Sequence, residues 1–140
     1  MHINRCETRT ISIAAPPAAV LDFVADPRHL PQWAPGFARA VRPAAEAGRW
    51  LVNDGDREFS ITMPVDRARG TVDILRPGDR RRGAYMRVVP NSAGSEYVFT
   101  LVFPDGVPEP AVAAQMQTVE AELATVRSLI EEASSAPLPD

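Results

Sequence analysis

The feature that most restricts the fold is a run from Ala111 to about Ala133 that contains neither glycine nor proline. Within it Val112, Met116, Val119, Leu123, Val126 and Ile130 recur at spacings of four, three, four, three and four. That is one unbroken apolar stripe on a helix of 3.6 residues per turn. Glu120, Glu122, Arg127, Glu131 and Glu132 fall off the stripe. A helix of about 22 residues extends roughly 33 Å. It cannot hide such a stripe alone, so an apolar surface elsewhere in the chain must cover it.

The stretch from Phe37 to Phe103 supplies that surface. Runs rich in Val, Ile, Phe, Tyr and Thr predict six strands: Phe37–Val41, Trp50–Val52, Arg57–Met63, Arg69–Leu75, Ala84–Val89 and Glu96–Phe103. Between them lie Asn53-Asp54-Gly55-Asp56, the segment Pro64–Ala68, Pro77-Gly78-Asp79 and the segment Asn91–Gly94, all turn-forming. Connections this short imply an antiparallel meander, because parallel neighbours need crossover helices. Upstream, Thr8–Ile13 alternates β-branched with polar residues and predicts a further strand, which joins this sheet across a two-helix insertion. The first inserted helix covers Ala18–Ala25 and ends at Asp26-Pro27, and the second covers Arg28–Trp33. The predicted class is therefore α+β, a helix-grip fold. A curved seven-stranded antiparallel sheet wraps a long C-terminal helix, with two short helices between strands 1 and 2.

One domain accounts for residues 1–133 of the 140, and the tail from Ser134 reads as disordered. A net charge of −3 offers no basic field, so a nucleic-acid partner is not expected. No segment is apolar enough to predict stable membrane insertion. The single cysteine, Cys6, excludes an internal disulfide framework and makes a reducing cytoplasm the expected compartment. His2, His29 and Cys6 lack ligand spacing, so no metal site is predicted, and no phosphate loop or dinucleotide fingerprint implies another cofactor. The short run Arg80-Arg81-Arg82 is too small to suggest nucleic-acid binding.

The words of the opening segment carry a resemblance. Ile11 through Pro27, reading ISIAAPPAAVLDFVADP, followed by Leu30-Pro31-Gln32-Trp33, is similar to the opening strand and helices of the START-like superfamily, also called SRPBCC. The likeness extends from about Thr8 to Ala133 and lies nearest the polyketide cyclase/dehydrase-like branch. It implies an elongated apolar cavity between sheet and helix that takes a small hydrophobic molecule, such as a polyketide, lipid or quinone. It specifies fold better than activity, since one fold hosts many functions.

On that reading the expected pocket residues come from several elements. The inserted helices and their exit provide Phe23, Trp33 and Phe37. The middle strands provide Trp50, Phe59, Ile61 and Met63, and the last strand provides Tyr97, Phe99 and Leu101. Met116, Val119 and Leu123 face them from the helix. Each of these also fits plain core packing. In the strand 84–89, either Ala84, Met86 and Val88 or Tyr85, Arg87 and Val89 point inward, and one residue of register in the loop after it decides which. Tyr85, Arg87 and His29 are the candidate catalytic groups. Tyr85 and Arg87 could orient a ligand carbonyl if they point inward, and His29 could transfer a proton at the mouth. The functions left open are a carrier or sensor of a hydrophobic ligand, a polyketide cyclase, aromatase or dehydratase, and a partner-binding module with a filled core. A monomer and a homodimer are both compatible with the sequence.

Overall fold

The computed structural model describes the backbone of residues 1–135, and the side chains among them except those of 80–82 and 135. Strand β1 (Arg5–Ile13) leads through Pro16 into helix α1 (Pro17–Ala25), which buries Val20, Leu21, Val24 and Ala25. Asp26, the residue before a proline, is extended at φ −86° and ψ 113° and ends the helix. Its carboxylate accepts the Arg28 N–H at 2.9 Å and opens a 3₁₀ turn over Pro27–His29. Helix α2 (Leu30–Trp33) follows directly.

The meander comprises β2 (Ala40–Pro43), β3 (Arg49–Asn53), β4 (Glu58–Thr62), β5 (Val65–Asp66), β6 (Thr71–Arg76), β7 (Asp79–Asn91) and β8 (Gly94–Phe103). Helix α3 (Glu109–Ser135) closes the fold. The strand order is β1-β8-β7-β6-β4-β3-β2, with the two-residue β5 folded back on β6. The α+β helix-grip architecture expected from the sequence is the one observed.

One detail adds to the sequence reading and two differ from it. The first strand joins the sheet at its far edge, against β8, so β1 and β2 are the two outermost strands. The turn Pro64–Ala68 contains the extra strand β5, whose Val65 and Asp66 pair with Val72 and Thr71. Phe37 precedes β2 instead of starting it, because its N–H donates to the Ala34 carbonyl at 3.0 Å and prolongs the turn after α2. Helix α3 continues through Ser135, and the expectation of a disordered tail lies outside the described residues from 136 onward. The side chains of Arg80–Arg82 likewise lie outside them.

The β7–β8 hairpin settles the register. Asn91 pairs with Gly94 around Ser92-Ala93, and Ser92 adopts a left-handed φ of 53°. Met86 and Val88 then lie opposite Phe99 and Tyr97, and all of these are buried. Tyr85 and Arg87 lie opposite Thr100 and Val98 on the other face. Glycine at 94 serves the close approach of β1, since a Cβ there would sit 2.7 Å from the Ile13 carbonyl oxygen.

The six stripe residues of α3 are between 0 and 6 % exposed. One flank of the helix is fastened to β1 by the pairs Arg5–Glu109 and Arg9–Glu120, the latter at 3.0 Å. Further along, Glu131 accepts the Ala14 N–H at 2.8 Å. Among the described residues no helix is long and apolar enough to cross a membrane.

Candidate functional site

The opposite flank of α3 borders a cavity of about 720 Å³ between the helix and the sheet. Strand alternation gives it an apolar floor. On β4 the sequence Glu-Phe-Ser-Ile-Thr turns Phe59 and Ile61 inward, and β6 adds Ile74. Ala84 of β7 faces Leu101 of β8, with Phe99 beside them. Trp33, Ala34, Gly36 and Phe37 form the wall where the chain leaves α2. The Phe37 and Phe59 rings meet at 5.5 Å with a 56° tilt, and the Arg76 guanidinium lies 4.1 Å from the Phe59 ring centre.

The helix wall is polar. Gln115, Thr118 and Glu122 all line the cavity, at spacings of three and four that place them on one flank. Their Cα atoms span about 10 Å along the axis. The Thr118 hydroxyl donates to the Ala114 carbonyl at 3.3 Å. Glu122 is half-buried and, among the described residues, makes no hydrogen bond or ion pair. Burial lifts its carboxyl from the ordinary glutamate value to about 7. Trp33 is 1 % exposed, and its indole N–H is buried without a hydrogen-bond partner among the described residues.

At the rim, Arg57 pairs with Asp54 at 3.7 Å across the β3–β4 turn. The Arg57 and Asp56 backbone N–H groups hold the Asp54 carboxyl below the usual carboxylate range. Among the described residues no group of three or more His, Cys, Asp or Glu side chains is placed to hold a metal ion.

Six residues expected from the sequence line this space: Trp33, Phe37, Phe59, Ile61, Phe99 and Leu101. The others lie elsewhere. Tyr97 is wholly buried beneath the floor, where its hydroxyl donates to the Met86 sulfur at 2.9 Å. Met116, Val119 and Leu123 belong to the helix–sheet core. Phe23 stacks on His29 with ring centres 4.5 Å apart, Trp50 lies under the Arg28 guanidinium at 5.2 Å, and Met63 packs half-buried against the core.

The three candidate catalytic groups are also outside the cavity lining. Tyr85 and Arg87 face away from the helix, as the hairpin register dictates. The His29 Nδ1–H donates to the Phe23 carbonyl at 2.7 Å, which ties the 3₁₀ turn to the end of α1. Sequence reasoning missed Gln115, Thr118, Glu122 and Arg76. The first three immediately precede stripe residues or lie within one turn of them, and that adjacency was the available signal.

With the geometry in view, the known relatives can be placed. A comparison with curated proteins gave no match. Among solved structures, the Bacillus cereus protein XoxI superposes with a TM-score of 0.73 at 12 % identity, covering 94 % of this chain and 99 % of that one. The Zhui aromatase/cyclase from Streptomyces sp. R1128 gives 0.70 at 19 % identity, covering 96 % and 98 %. A START superfamily protein from Mycobacterium smegmatis gives 0.71 at 16 % identity, covering 91 % and 97 %. At these identities the likeness is one of fold. The sequence itself carries the assignment: residues 6–131 match the profile of the family described as polyketide cyclase/dehydrase and lipid transport, and this START-like chain belongs to that family.

Proposed function

We propose that this protein binds a small, mostly apolar, oxygen-bearing molecule, of polyketide, quinone or lipid type, between its sheet and its C-terminal helix. The observation that carries this reading is the two-sided cavity of about 720 Å³, with an apolar sheet floor and a polar helix flank. That volume lies in the range of small-molecule sites, and so does a lining that is mainly apolar with a few placed polar groups. A flat guest would lie on Phe59, Ile61 and Phe99 and turn its oxygens toward Gln115, Thr118 and Glu122. The cavity favours a pocketed protein over a partner-binding module with a filled core.

Carriage is the primary reading. Glu122 favours cyclisation, aromatisation or dehydration as the second, because an unpartnered carboxyl titrating near neutrality suits proton transfer to and from a carbonyl compound. Tyr85, Arg87 and His29 do not line the cavity, so its geometry lends them no support in that role.

The test is thermal unfolding with a panel of aryl ketones, quinones and fatty acids, alongside mass spectrometry of the purified protein under non-denaturing conditions. A ligand at about a hundred times its Kd stabilises by roughly 2.7 kcal/mol, enough to raise Tm by several degrees in a domain of this size. An unfolding midpoint indifferent to every compound, with no co-purified guest, would reject the reading.

A further inference from the structure

The cavity wall carries one acid whose surroundings do not match its charge. The titratable and charged groups on the elements that border the cavity make their contacts with groups other than Glu122, and Arg76 keeps an unpaired charge among the described residues. From β8, the Tyr97 hydroxyl is given to the Met86 sulfur. From β6, Arg76 lies against the Phe59 ring, 4.1 Å from its centre. From the β3–β4 turn, Arg57 and Asp54 pair with each other at 3.7 Å. Asp22 of α1 is exposed and paired with Arg67, and α2 offers the cavity only the non-titrating Trp33. Arg9 of β1 is held by Glu120 on the other flank of α3. The carboxyl of Glu122 therefore faces the cavity without a hydrogen bond or ion pair among the described residues.

We infer that Glu122 makes occupancy of the cavity a proton-linked event: an uncharged, carbonyl-bearing apolar guest enters together with a proton, and guests bearing a carboxylate are disfavoured. This rests on the cavity being the binding site. The physical reason is desolvation. An apolar guest displaces the water that still reaches the carboxyl, which penalises the ionised form and leaves the neutral form little affected. The neutral form also gains a role, because its O–H donates to a carbonyl oxygen on the guest. A carboxylate guest would instead meet an acid it cannot pair with unless one of the two is protonated. Burial already places Glu122 at about 7 in the open cavity, so this coupling operates at neutral pH.

The size of the effect follows from the fraction of protein in the binding-competent, protonated form. With a group titrating at about 7, that fraction falls from about nine-tenths at pH 6 to about one-tenth at pH 8. The apparent Kd therefore weakens about tenfold over that interval.

Prodan, a fluorescent and uncharged naphthyl ketone, serves as the probe, with 2-naphthoate as its anionic counterpart. The wild-type protein is expected to bind prodan about tenfold more weakly at pH 8 than at pH 6. Glu122→Gln is expected to bind it equally at both and to narrow the preference for prodan over naphthoate. Calorimetry of the wild type at pH 7, in two buffers of different ionisation enthalpy, is expected to show uptake of about half a proton per prodan bound. This last measurement does not depend on the variant folding. Binding with no pH slope, a slope retained in Glu122→Gln, or no proton uptake would each overturn the inference while leaving the cavity as the binding site. Failure of the wild type to bind prodan at either pH would overturn the inference, and the reading of the cavity as the binding site falls with it only if the whole ligand panel fails as well.

Discussion

At the scale of single residues, Glu122 has a consequence even without a guest. Its carboxyl is raised from an ordinary value of 4.5 to about 7 by burial. A group with a raised native pKa favours folding below its unfolded value, and that contribution is lost as pH rises through the folded value. Stability due to Glu122 therefore declines from about pH 4.5 to about pH 7 and is level above. Glu96 acts in the opposite direction. Hydrogen bonds from Ser12 and Thr10 lower its pKa, so its contribution is present at neutral pH and lost on acidification. Comparing Glu122→Gln with wild type removes that shared background. The Tm of the variant is expected to gain on wild type as pH rises from 5 to 7, and to keep a constant lead from 7 to 8.5. Parallel curves over the whole range would show that Glu122 is solvated. The charge pattern of the sequence placed this residue off the apolar stripe, which is correct. Whether that flank meets water or a void depends on where the sheet stops beneath it, and no local pattern encodes that.

At the scale of elements, α3 carries three functions on three faces: a buried stripe, a flank fastened to β1 and a flank along the cavity. The stripe supplies the stability. Leu123 is 2 % exposed, and Leu123→Ala is expected to cost about 2–5 kcal/mol in denaturant unfolding. Arg9→Ala, which removes a half-exposed pair with Glu120, is expected to cost less than about 1 kcal/mol. Equal losses would mean that the ion pairs, and not the stripe, hold the helix. The stripe was legible because helical period is written in neighbouring residues. The inner face of β8 was legible for the same reason, since Tyr97, Phe99 and Phe103 alternate and are all buried. The inner face of β7 was not. It depends on whether Asn91–Gly94 closes with Asn91 opposite Gly94 or one residue out of step, and the composition of that turn permits either. The whole reassignment of Tyr85 and Arg87 follows from that single pairing.

At the scale of the molecule, Ala84 puts a small side chain in the cavity lining, so a larger one there would take up space that a guest needs. Ala84→Phe is expected to weaken binding of any guest at least about tenfold while leaving Tm unchanged or higher, because filling a void with an apolar ring restores lost packing. A variant that binds as well as wild type would place the guest elsewhere.

The pairing of β1 with β8 also sets an order of assembly. Arg5 lies opposite Phe103 and Ile13 opposite Ser95, so β1 is made before every other strand of this sheet yet has no neighbour until the last of them, β8, has followed. Such distant partners slow folding. Until then the Arg5–Ile13 segment travels with its hydrogen-bonding edges bare, in need of protection from other nascent chains.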